Sequence, residues 1–160
     1  MIIFPENTHL KIEQISLDET LTILISSTEA TARCTYCGTT ATHIHSRYHR
    51  RLSDLPVSGY SVKLRVEVRR FFCQHPSCPR KTFAEAFVPL AGRYAQQTNR
   101  LQITLQQLVL ALGGEMGARV GARLGLSSSP SSLLRLLRKV EPPPPTSPAK
   151  IIGIVCIGSS

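Results

Sequence analysis

The sequence has no tryptophan, and aromatic residues make up only 6% of its 160 residues. A core with so few rings has to rest on Val, Ile and Leu, and the length fits one ordinary domain or two small modules, which excludes a large multi-domain enzyme. Acidic residues are scarce as well. Ten Asp and Glu stand against nineteen Lys and Arg, for a formal charge of +9 and a pI near 9.8. A balance of that kind favours an anionic partner such as nucleic acid. Beyond residue 93 only Glu115 and Glu141 remain as carboxylates. A two-metal phosphoryl-transfer site needs several converging carboxylates, so none is expected there. No long apolar run occurs: the longest uncharged helical stretch, Leu101 to Gly114, is interrupted by Gln102, Thr104, Gln106 and Gln107. It falls short of the roughly 20 residues a membrane span requires. No charged start followed by an apolar stretch marks a signal peptide, so the chain reads as cytoplasmic, with no membrane partner.

What is present is unevenly distributed. Residues 1–33 hold two basic and five acidic side chains, whereas residues 34–93 hold ten basic and three acidic ones. The anion-seeking surface therefore begins at Cys34. Before it, Leu10–Leu17 and Leu21–Ser26 are short apolar runs separated by Asp18, Glu19 and Thr20, the pattern of a β-hairpin. After a turn at Pro56-Val57-Ser58-Gly59, Val62, Leu64, Val66 and Val68 alternate with Lys63, Arg65, Glu67 and Arg69. This predicts a strand with one buried face and one mostly basic face. Arg47, Arg50, Arg51, Lys63, Arg65, Arg69 and Arg70, interleaved with His45, Tyr48 and His49, form a candidate phosphate-tracking surface. An ordinary solvated face is the alternative.

Five cysteines in a reducing compartment are metal ligands or buried thiols before they are disulfides. Cys34-x2-Cys37 and Cys73-x4-Cys78 have the spacing that lets a tight turn aim two thiolates at one ion, and four such ligands complete a tetrahedron. A disulfide, or His45 or His75 in place of one thiolate, remains the competing reading. Four protein ligands leave no open position, so the Zn2+ would be structural. Cys156, in an apolar tail, reads as a core thiol.

From Thr98 the apolar period changes to that of a helix: Leu101, Leu105, Leu108, Val109 and Leu112, ended by Gly113-Gly114. A second helix is predicted from Glu115 to Leu124. A third has Ser129 as N-cap, Pro130 at its first position and Leu133, Leu136, Leu137 and Val140 as its stripe. The last two match a helix-turn-helix, with Ser131, Ser132, Arg135, Arg138 and Lys139 on the exposed face of the reading helix as candidate DNA contacts. A packed hairpin with solvated charges is the alternative. Pro142–Pro145 and Pro148 predict a stiff linker, and Ile151–Ile157 an opening strand.

Several segments together resemble one family: Cys34-x2-Cys37-Gly38, Ser46-Arg47-Tyr48, Leu55-Pro56, Val68-Arg69-Arg70-Phe71-Phe72-Cys73, Cys78-Pro79-Arg80, Thr82-Phe83-Ala84-Glu85, Arg93-Tyr94, Gly117-Ala118-Arg119 and Leu133-Leu134-Arg135. The chain is similar, over roughly residues 6–154, to the N-terminal part of bacterial insertion-sequence transposases of the ISL-three family. The resemblance implies a zinc-binding domain and a helix-turn-helix that recognise the element's terminal inverted repeats in double-stranded DNA. A catalytic Asp-Asp-Glu domain follows in that family. Gly153-Ile154 here are followed by Val155-Cys156-Ile157 in place of the family's aspartates, so a truncated transposase without strand-transfer chemistry is expected.

The expected fold is α+β, with a β-hairpin over 1–30, a zinc-ribbon-like domain over 31–93 and an all-α helix-turn-helix domain over 94–141. A Pro-rich linker over 142–150 and the truncated start of a catalytic domain over 151–160 complete it. Expected partners are DNA and a second copy or a full-length transposase, in a bacterial cytoplasm and on the nucleoid when bound. Two other readings stay open: a protein- or RNA-binding ribbon, and one half of an enzyme completed by frameshifting.

Overall fold

The structure is a computed structural model and describes residues 9–126 and 128–138. Lys139, the linker and the terminal strand lie outside the described residues, as does Cys156. Seven strands come first: β1 (Leu10–Leu17), β2 (Thr20–Ser27), β3 (Ala32–Arg33), β4 (Thr40–Ala41), β5 (Ile44–Val57), β6 (Tyr60–Phe72) and β7 (Thr82–Ala84). Two helices follow, α1 (Asn99–Arg123) and α2 (Pro130–Leu137).

The long β5–β6 hairpin dominates. Ser58 and Gly59 both take positive φ, 51° and 83°, between the paired Val57 and Tyr60. That is the I′ geometry whose twist suits a two-residue hairpin. The main sheet has the order β1-β2-β6-β5, with β2 parallel to β6 and every other pairing antiparallel. β7 takes up the other edge of β6 beyond β2, where Arg70 faces Ala84 and Phe72 faces Thr82. The expected alternation on β6 holds from Val62 to Val68. These valines and Leu64 are buried with Ile23, Ile25 and Leu52, and Leu90 and Ala91 close over them from the segment after β7. The opposite face leaves Arg47, His49, Arg51, Lys63 and Arg65 exposed.

The expected organisation needs correction in two places. The N-terminal hairpin is not a separate unit, because β2 is hydrogen-bonded along β6 from Thr20–Ser61 to Ile25–Val66. The region after the ribbon is not an all-α helix-turn-helix module either: the described residues are mostly β, with two helices among them, and these are built onto the sheet. The cluster of Leu101, Leu105, Val109, Ala118, Leu126, Leu133 and Leu136 takes in Leu55 of β5. Apolar stripes as thin as these bury too little against each other, so the sheet supplies part of their core.

A polar joint fixes the attachment. Thr98, fully buried, caps α1 by accepting from the Leu101 amide at 3.3 Å and donates its hydroxyl to Asp54 Oδ1 at 2.6 Å. Arg100 donates Nε to the same oxygen at 2.7 Å and a second N–H to Oδ2. Gly113 breaks the course of α1 with φ 74° and ψ 178°. Its neighbour Gly114 sits where an added Cβ would come within 2.8 Å of Leu134 Cγ, so α2 packs close to α1 only because that position has no side chain.

Candidate metal centre and arginine groove

The four predicted ligands converge. The Sγ atoms of Cys34, Cys37, Cys73 and Cys78 all lie within 4.8 Å of one another, with Cys37 and Cys73 3.6 Å apart. Thiolates 2.3 Å from a zinc ion at the corners of a tetrahedron stand about 3.8 Å apart, so the cage has the right size. Local structure explains it. The first knuckle closes the β3–β4 pair, with the Cys34 amide bonded to Thr39 O and the Gly38 amide to Cys34 O. The second joins β6 to β7, with the Cys73 amide on Lys81 O and the Cys78 amide on His75 O. Behind the cage, Phe71 and Phe83 stack at 5.9 Å and bury Cys34 and Cys78. His75 and His45 are exposed, and neither belongs to the cluster.

The electrostatics of the cage call for a cation. Hydrogen bonds from Thr39, side chain first and then backbone, hold the Cys37 thiol down to about 6. At Cys73 the His75 amide works to lower the pKa, but burial and the neighbouring thiols outweigh it and push the thiol up to about 12. Burial raises Cys78 too. Four thiols this close cannot all ionise alone, since each new negative charge is repelled by the last, and a divalent ion removes that obstacle. The donor set is all sulfur, which suits Zn2+.

The comparisons agree with this geometry. The family described as "zinc-finger of transposase IS204/IS1001/IS1096/IS1165" matches residues 30–79. Residues 30–79 thus match the zinc ribbon of ISL-three transposases. A "Transposase for insertion sequence element IS1001" from Bordetella parapertussis is 34% identical over 100 residues, covering 62% of this chain and 24% of that relative. The chain thus spans about a quarter of the length of the relative it matches. No solved structure matches. The ribbon of four clustered cysteines fits structural zinc, and among the described residues no helix is long and apolar enough to cross a membrane.

Beside the ribbon lies a groove of about 1020 Å³, lined by β5 residues from both faces of that edge strand, by β7 and by the segment after it. Six arginines line it: Arg47, Arg50, Arg51, Arg70, Arg80 and Arg93. Its one acidic residue, Glu85, is occupied by Arg69, whose Nε and Nη2 reach the carboxylate at 3.1 and 2.6 Å.

The predicted contacts therefore divide. Arg47, Arg51, Lys63 and Arg65 are exposed as expected, with Arg47 3.3 Å from Glu67 and Lys63 2.8 Å from Ser53 Oγ. Arg69 departs from the alternation: it is buried, and besides Glu85 it donates to Glu29 O at 2.7 Å, because the segments following β2 and β7 close over this end of β6. Arg50 is turned inward, donating to Gly92 O at 3.1 Å and Ala95 O at 2.8 Å. Ser131, Ser132 and Arg135 on α2 and Arg138 at its C-cap are exposed, although the two serines share their hydroxyls with the capping Ser129. The sequence reading missed Arg80, Arg93 and Tyr94 as groove residues. The Arg93-Tyr94 dipeptide between two predicted elements was the available signal.

Proposed function

We propose that this chain is a DNA-recognition segment of an insertion-sequence transposase, binding the terminal repeats of its element. The observation that carries the reading is the groove of six arginines whose single carboxylate is already neutralised. Guanidinium groups bind phosphate bidentately and stay charged at any physiological pH. Arg51, exposed on β5, continues into the open sheet face with Lys63 and Arg65, which extends the basic track. The family supports DNA as the anion. Zinc would hold the groove wall made by Arg80 and β7, because Cys78 and β7 lie on either side of that arginine.

The test is binding of the zinc-loaded chain to DNA bearing the element's terminal repeat, and to a scrambled sequence, across a salt series. Arg51→Ala and Arg80→Ala should each weaken binding and reduce the slope of log K against log salt by about one. A preference for the repeat of about a thousandfold at physiological salt would mark site recognition. Absence of DNA binding by the folded, zinc-loaded chain would sink the reading.

A further inference from the structure

The groove holds more than charge. Tyr94 stands in its wall with 84% of its surface exposed, Tyr48 is 41% exposed there, and Val88 is 69% exposed. Such exposure of a ring usually means a mobile loop, but this loop is fastened. Arg50 bridges the carbonyls of Gly92 and Ala95, the Ala95 amide bonds to Gly92 O at 3.1 Å, and the Asn99 amide bonds to Leu90 O at 2.9 Å. Arg93 lies 5.2 Å from the centroid of the Tyr94 ring. An exposed aromatic is thus carried on a fastened backbone, beside the Arg93 guanidinium.

We propose that the groove takes an unpaired DNA strand, with its phosphates along the arginines and a base stacked on Tyr94. This deepens the DNA-binding reading and rests on it. The physical distinction is one of surfaces. A duplex keeps its bases stacked inside and offers only their edges, which a tyrosine face cannot use. An unpaired strand offers a π-face at every base, and aromatic platforms beside a basic track are how proteins hold such strands. The groove is concave, whereas a duplex is convex outside its own grooves. Open phosphate binding would need the arginines alone, so Tyr94 and the Arg50 clamp that fixes its loop remain unexplained by duplex binding.

The experiment compares fluorescein-labelled oligo-dT of about twelve nucleotides with a duplex of equal length, at one salt concentration, using the zinc-loaded full chain. Wild type, Tyr94→Ala and Tyr94→Phe are measured, with zinc content and circular dichroism confirming that each is folded. The expected result is tighter binding of the single strand. Tyr94→Ala should lose about tenfold or more of it, Tyr94→Phe should retain it, and duplex affinity should be the same in all three. Equal or tighter binding of the duplex, or single-strand affinity indifferent to Tyr94→Ala, overturns the stacking proposal while leaving DNA binding in place. Binding to neither overturns the stacking proposal, and the DNA-binding reading falls with it if the terminal repeat is not bound either.

Discussion

Asp54 shows what a single residue can decide here. Its carboxylate is fully buried and collects the Thr98 hydroxyl and the Arg100 guanidinium, so the sheet and the start of α1 share one anion. Asp54→Ala leaves Thr98 without its acceptor and Arg100 without its partner. Breaking a buried pair costs roughly 3–5 kcal/mol, and the lower end applies because the Arg100 side chain keeps 32% exposure. Chemical denaturation should show that loss, with α1 protected less from hydrogen exchange than the β5–β6 hairpin. Nothing in the sequence marks this residue, because its partners lie more than forty positions away. Arg69 was illegible for the same reason: strand alternation placed it outside, and only the fold brings Glu85 and Glu29 to it. The four cysteines, by contrast, were legible from spacing alone, since each pair is closed by its own turn.

Among the elements, the two knuckles and the helix break make different predictions. Removal of zinc by a chelator, or Cys37→Ser, takes the ligands from the cluster of Phe71 and Phe83 but leaves the valine core of β6 untouched. Proteolysis should then cut within residues 32–41 and 73–84 while β5–β6 resists. Acid acts in the same direction. Cys73 and Cys78 have raised pKa values and are protonated at neutral pH without metal, so zinc must displace their protons and its apparent affinity falls as pH is lowered. A competition titration with a zinc dye at pH 6 and pH 8 checks this. At the break in α1, Gly113 occupies a region open essentially to glycine, and Gly113→Ala should cost about 1–3 kcal/mol, read as a drop in melting temperature. The two glycines were correctly read as an interruption. The sequence did not reveal that the helices on either side depend on Leu55 of β5 for part of their core.

For the whole molecule, the basic charge and the ribbon were legible, while the groove was not. It is assembled from β5, β6, β7 and the loop after them, and Arg80 and Arg93 enter it from segments with no pattern of their own. Such a site predicts that Arg50→Ala weakens nucleic-acid binding by displacing the 92–95 loop, even though both observed hydrogen bonds of Arg50 point inward. Comparing its effect with that of Tyr94→Ala in the same assay checks this, since the two should be non-additive in the double variant.

The parallel pairing of β2 with β6 also sets a timetable during synthesis. Thr20 and Ser61 touch across 41 positions, so at about 5–20 residues per second a ribosome makes β2 wait roughly 2–8 s for its partner. Through that interval β1–β2 is a lone two-stranded ribbon, marginal in water, with Ile23 and Ile25 uncovered. The β5–β6 hairpin must emerge before the sheet can close, and Cys78 emerges later still. Metal capture thus waits until β2, β5 and β6 have all emerged, and only β7 of the main sheet is made after the last ligand.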